Sequence, residues 1–250
     1  PDHRGRRGQP PRDDLRGPAP RPPDGWEGSA IVKICLDPGH GGADPGAVLK
    51  SRYEKDDVLR LARALKPLLE AQGLGVVLTR DSDAALPIAE RCRIANEAGC
   101  AYFLSLHRDA ADPSARGVGL WVHSGADWPT VQKAQDILTE LLAVTPVRDR
   151  GVRKGTPQNC RDFGVNTGTV MASALLELGF LTNEEDNALF DRYLPQYAEA
   201  AARGLCRAVG IAYRAPAAGD APRDPARETV RAALDELAAA LENARRRLGV

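Results

Sequence analysis

The chain has 250 residues, of which 43% are hydrophobic and 27% charged, with 34 basic side chains against 34 acidic ones. That composition supplies a core, excludes global disorder, and argues against a nucleic-acid binder held by phosphate neutralisation. No apolar run approaches the roughly 20 residues that cross a bilayer, so no membrane span is expected.

Residues 1–29 are rich in Pro, Arg, Gly and Asp and nearly lack aliphatics. Such a stretch cannot offset its ordering entropy and reads as a disordered tail. It shows no apolar leader segment, so no signal peptide is expected. A folded domain is expected over residues 30–212. Residues 31–36 read as a strand ending at Asp37-Pro38-Gly39. Residues 54–72 carry Val58, Leu61, Leu65, Leu68 and Leu69 at helical spacing, closed by Gly73. Pro67 inside that run predicts a kink or a local break.

Further strands are expected over residues 76–79, 101–106 and 117–123, and helices over 87–97 and 128–143. The stretch 151–169, rich in Gly, Asn, Thr and Arg, reads as an open loop. Residues 170–178 form an apolar run that fits a strand buried on both faces, and 191–209 read as a further helix. Strands alternating with helices predict an α/β domain, with a twisted, mostly parallel sheet flanked by helices on both faces.

Residues 213–226 look like a linker. Beyond it, Val230, Leu234, Leu237, Leu241, Ala244 and Leu248 step by alternating four and three, a heptad seam over 227–250. A helix that short is marginal alone. It needs a partner, either a second copy of the chain (a homo-oligomer) or the folded domain at 30–212 itself.

The five cysteines, Cys35, Cys92, Cys100, Cys160 and Cys206, are odd in number and widely spaced. They read as free thiols rather than a disulfide framework, which suits folding in a reducing compartment.

Three polar residues fall where strands end: His40 after the first, His107 after the third and Glu177 in the apolar run. Ligands bind outside the carboxyl ends of open parallel sheets. Glycines beside His40 allow close approach to its imidazole. Glu177, among leucines, is costly to bury without a reason. Two imidazoles and a carboxylate suggest a divalent metal, and hydrolytic zinc takes three protein ligands and keeps a fourth position open. Glu54 is the candidate third ligand, but Ser51-Arg52-Tyr53-Glu54 also has the spacing of a capping box. One carboxylate cannot easily serve both tasks. Asp44, Asp56 and Asp57 are the other nearby acids. Asp37 reads either as a hydrogen-bond acceptor for a ligand histidine or as a turn carboxylate over Pro38-Gly39.

Six motifs follow in order. They are Asp37-Pro38-Gly39-His40-Gly41-Gly42-Ala43-Asp44-Pro45-Gly46-Ala47; Glu54-Lys55-Asp56; Val77-Leu78-Thr79-Arg80; Arg91 with Ala95-Asn96; Ser105-Leu106-His107-Arg108-Asp109-Ala110; and Leu176-Glu177-Leu178-Gly179-Phe180-Leu181-Thr182-Asn183. Together they resemble the zinc-dependent N-acetylmuramoyl-L-alanine amidases of the amidase-3 type, found in bacterial cell-wall hydrolases and phage or prophage endolysins. The resemblance runs from about Ile31 to Ala212. It implies that His40, Glu54 and His107 bind one Zn2+ per chain and that Glu177 is the catalytic acid/base. It implies peptidoglycan as substrate, cut at the amide between the lactyl group of N-acetylmuramic acid and L-alanine, with action at the cell wall.

Arg108 departs from the small residue frequent in that family and is a candidate contact for an acidic substrate group. Asn166 is a candidate contact for glycan or peptide. Other zinc amide hydrolases, a peptidase or an amino-sugar deacetylase, would use the same groups. An inactive wall-binding module is the reading outside enzymes.

Overall fold

The computed structural model describes residues 31–156 and 162–215. The expected tail, most of the linker, the heptad segment and Cys160 lie outside the described residues.

The chain opens with strand β1 (Lys33–Pro38). A two-stranded ribbon, β2 (Val48–Leu49) and β3 (Arg52–Tyr53), leads into helix α1 (Glu54–Glu70). Then follow β4 (Gly75–Leu78), α2 (Ile88–Glu97), β5 (Tyr102–Asp109), β6 (Val118–Val122) and α3 (Trp128–Leu142). The chain continues through β7 (Asp149–Lys154), α4 (Gly164–Gly168), β8 (Ala172–Phe180) and α5 (Glu184–Ala208).

Six strands form one sheet in the order β4-β1-β5-β8-β6-β7. The first four are mutually parallel. β6 runs antiparallel to β8, and β7 runs parallel to β6. Side chains alternate between the two sheet faces. Leu36, Leu104, Leu106, Leu120 and Leu176 join the larger core with residues of α1, α3 and α5. Cys35, Phe103 and Leu175 face the other way, against Ala95 of α2 and Val165 of α4. The expected α/β architecture is therefore present, with a thick helical layer on one side and a thin one on the other.

Local expectations differ in four places. α1 continues through Pro67 without a break. Pro67 sits in the last turn, where the helix loses little. The kink lies instead in α5, where Tyr193 (φ −115°, ψ 16°) precedes Pro195. α5 also starts at Glu184 rather than at 191, because Asn183 caps it by accepting from Asp186 N at 2.9 Å. The expected loop over 151–169 contains most of β7 and all of α4.

Cys35, Cys92, Cys100 and Cys206 are buried free thiols, behaving as small hydrophobes.

Candidate metal centre

The loop after β1 carries His40 in a left-handed backbone conformation, φ 58°, which costs energy for a residue with a Cβ. Surrounding bonds hold it there. Gly41 and Asp44 pair through their backbones at 2.9 and 3.1 Å. Arg91 donates to the carbonyls of Pro38 and His40 at 2.7 and 2.6 Å, and Arg80 donates to those of Pro38 and Gly39 at 2.9 and 2.7 Å. Buried Asp37 accepts from Arg91 at 2.7 Å, Thr79 at 2.6 Å and Ser105 at 2.7 Å. Asp37 thus fails both sequence expectations. Among the described residues it bonds neither His40 nor His107 nor its own turn, and instead fixes the arginine that grips the loop.

Glu54 opens α1. Its Oε1 lies 2.8 Å from His107 Nδ1 and accepts from Arg108 N at 2.9 Å. Its Oε2 accepts from Ala47 N at 2.8 Å and lies 3.1 Å from His40 Nε2. The capping-box alternative is overturned. The N-cap is Tyr53, without a side-chain cap bond, because the β2–β3 ribbon holds the chain extended up to Glu54.

His40, Glu54 and His107 bring donor atoms within 4.8 Å of one another. The imidazoles meet edge to face, centroids 4.9 Å apart. Two glycines make this crowding possible. A Cβ on Gly39 would fall 2.3 Å from the His107 ring, and one on Gly46 would fall 2.6 Å from both Glu54 Oε2 and His40. Asp44 Oδ2 lies 2.8 Å from His40 Nδ1. An Nδ1–H donating there fixes the tautomer and leaves Nε2 facing Glu54. Two ring nitrogens crowding one buried carboxylate require a cation between them, a proton or a metal. Two imidazoles and a carboxylate are also the donor set that zinc takes, so the residues fit that ion.

The electrostatics agree. Burial pushes the Glu54 carboxyl up, but hydrogen bonds from His107 and His40 outweigh it and hold the group well below the usual carboxylate range. Burial works against charge on His40, and Glu54 and Asp44 overcome it, raising the imidazole above its ordinary value.

Glu177 stands directly opposite His107 in the β5–β8 register, so both project from the thin-layer face. It is 7% exposed. Arg108, next to His107, projects from the opposite face and is 1% exposed. Its guanidinium bonds Asp57 at 2.6 Å and Asn187 at 2.7 Å, and stacks over Phe190 at 4.4 Å. The expectation that it meets substrate is corrected: it is a core cation. Asn166 is corrected too. It lies in α4 at 5% exposure and donates to Trp121 O at 3.0 Å. Sequence reasoning missed the roles of Asp44, Arg80 and Arg91. The spacing of Asp44, four residues after His40, was the available signal for the first.

The family model described as N-acetylmuramoyl-L-alanine amidase, amidase-3, matches residues 34–209. The N-acetylmuramoyl-L-alanine amidase CwlM of Bacillus licheniformis is 34% identical over 191 residues, covering 75% of this chain and 72% of that protein. The endolysin of Bacillus phage SPP1 is 31% identical over 198 residues, covering 76% and 70%. Among solved structures, the amidase AmiC2 of Nostoc punctiforme is 31% identical with a TM-score of 0.66, covering 73% of this chain and 99% of that one.

Proposed function

Because this chain belongs to the amidase-3 family, and is an enzyme hydrolysing the N-acetylmuramoyl–L-alanine amide of peptidoglycan, we propose that His40, Glu54 and His107 hold one zinc ion and that Glu177 moves the proton. One observation carries this reading: three donors from distant segments lie within 4.8 Å of one another. Zinc, when bound at such a site, supplies a Lewis acid for the amide carbonyl and acidifies water. Glu177, across one strand spacing from His107, takes the proton from the attacking water and returns it to the departing alanine nitrogen. Glu54 and His107 hold their positions through Arg108 N and the Gly39 cradle.

The family also displaces the peptidase, deacetylase and inactive-module readings. Glu177→Gln is expected to keep stoichiometric zinc and to lose release of new N-terminal alanine from purified wall. Near wild-type release would remove Glu177 from the mechanism. His40→Ala and His107→Ala are each expected to lose the metal by elemental analysis, and zinc retained in either would reject the ligand set.

Two finer readings join the proposal. Buried free thiols support storage in the cytoplasm before release, which cell fractionation tests. The heptad spacing supports pairing of residues 227–250 with a second copy or with the catalytic domain, and sedimentation over a concentration range distinguishes these.

A further inference from the structure

A pair of arginines on the edge strand shares a sheet face with Glu177. Gly119 of β6 is the register partner of Glu177, and Trp121 pairs with Leu175. On the far side, Val118 pairs with Asp149 and Leu120 with Val152, so β7 carries one extra residue against Gly119. Gly151, at φ 77°, takes the bulge, and Asp149 Oδ1 accepts its N–H at 2.7 Å. A bulge re-aims side chains. On a regular strand Arg150 and Arg153, three apart, would face opposite ways. Here Arg153 pairs with Trp121 and Arg150 abuts Gly119, where an added Cβ would meet Arg150 Cβ at 3.0 Å. Both line one cavity with Glu177, Gly119 and Trp121.

Both guanidinium groups are positioned and retain donors. Arg150 lies over the Phe180 ring at 4.7 Å, and Arg153 over Trp121 at 5.5 Å. Arg153 Nε donates to Arg150 O at 2.9 Å, and Arg150 donates weakly to Arg116 O at 3.4 Å. Neither forms an ion pair among the described residues, although most arginines of this fold do. Asp109 also borders the cavity, but its Oδ1 accepts from Ala110 N.

We propose that Arg150 and Arg153 form a subsite for a carboxylate of the stem peptide, on the side of the leaving alanine. The inference rests on the amidase reading of Glu177. From β8 to β7 is two strand spacings, about 10 Å. An extended peptide covers about 3.3–3.6 Å per residue. A stem leaving the reacting amide beside Glu177 thus reaches the arginine pair with its second or third residue, where stem peptides carry carboxylates. The glycan strand offers no such charge. Gly119, lacking a side chain, lets the Arg150 stem pack against β6 beside the register partner of Glu177.

The test uses the full chain with Arg150→Gln, Arg153→Gln and both together. Substrates are N-acetylmuramoyl tripeptides in which one stem carboxylate at a time is replaced by carboxamide. Wild type is expected to favour one free carboxylate, with a preference that weakens as salt rises. The double variant is expected to lose about tenfold or more in kcat/KM on that substrate, through KM, since charge-assisted bonds are of that strength. On the matching carboxamide it is expected to equal wild type. Arg153→Lys, which keeps the charge, is expected to keep the preference. Equal losses on acid and amide, or none on either, overturn the subsite. Failure of wild type to cleave any of these substrates overturns the amidase reading instead.

Discussion

Glu54 shows how one side chain anchors a centre: its two oxygens meet two histidines and two backbone N–H groups. Its neighbours yield sharp expectations. Asp44→Asn weakens the orientation of His40 and is expected to lower zinc affinity about 10- to 100-fold, read by chelator competition. Gly46→Ala pushes a methyl into Glu54 and His40 at a positive-φ position, and is expected to abolish zinc binding while circular dichroism stays unchanged. The pH response of the metal-free chain follows from the shifts. Glu54 lies below its ordinary 4.5, so its contribution to stability is present above that pH and lost on acidification. His40 lies above its ordinary 6.5, so its contribution is full below 6.5 and lost as pH rises through the folded value. Zinc needs deprotonated imidazole. Thermal melts over roughly pH 6 to 8 are therefore expected to show a widening gap between zinc-loaded and metal-free protein. The three residues whose donor atoms cluster, His40, Glu54 and His107, were legible in the sequence. The partner of Asp37 was not, because Arg91 reaches it across 54 residues. Alternation along β5 turns Arg108 away from His107, but its complete burial depends on Asp57 and Asn187, which no local pattern announces.

Among the elements, the amphipathic helices and the apolar β8 were readable from periodicity, since their buried faces repeat. β7 was missed because Asp149–Lys154 is a polar edge strand with half its residues exposed. The start of α5 was missed because its first turn, Glu184, Glu185 and Asp186, is acidic rather than apolar. Asp186 earns its place by joining three elements, since its Oδ2 accepts from Gly117 N at 3.0 Å and Phe180 N at 2.7 Å. Arg108 links β5 to α1 and α5 in the same way. Arg108→Ala leaves Asn187 Oδ1 without its buried donor while Arg52 still pairs with Asp57 at 2.7 Å, and urea melts are expected to show a loss of about 1–3 kcal/mol. α3 and α5 cross closely at Gly204, where a Cβ would meet the Ile137 backbone at 2.5 Å. Gly204→Val is expected to lower Tm by forcing these helices apart, with zinc content unchanged.

At the scale of the molecule, Tyr213 packs against the larger core, and the Arg214 backbone N–H donates to the Gln72 side-chain oxygen at 2.8 Å while its carbonyl accepts from the Gln72 side-chain amide at 3.0 Å. Removal of residues 216–250 is expected to leave amide hydrolysis in place, and a fall in Tm on removal would assign the heptad segment to the catalytic domain rather than to a second copy. The order of the sheet carries a consequence for how the molecule is made. Among the described residues β8 is the last strand, and it sits between β5 and β6 and links the two halves of the sheet. All three proposed ligands precede it, while the proposed proton carrier lies within it. A nascent polypeptide still short of that strand has two unjoined half-sheets and no Glu177. On the proposed mechanism, a ribosome that stalls early leaves behind something harmless to the wall.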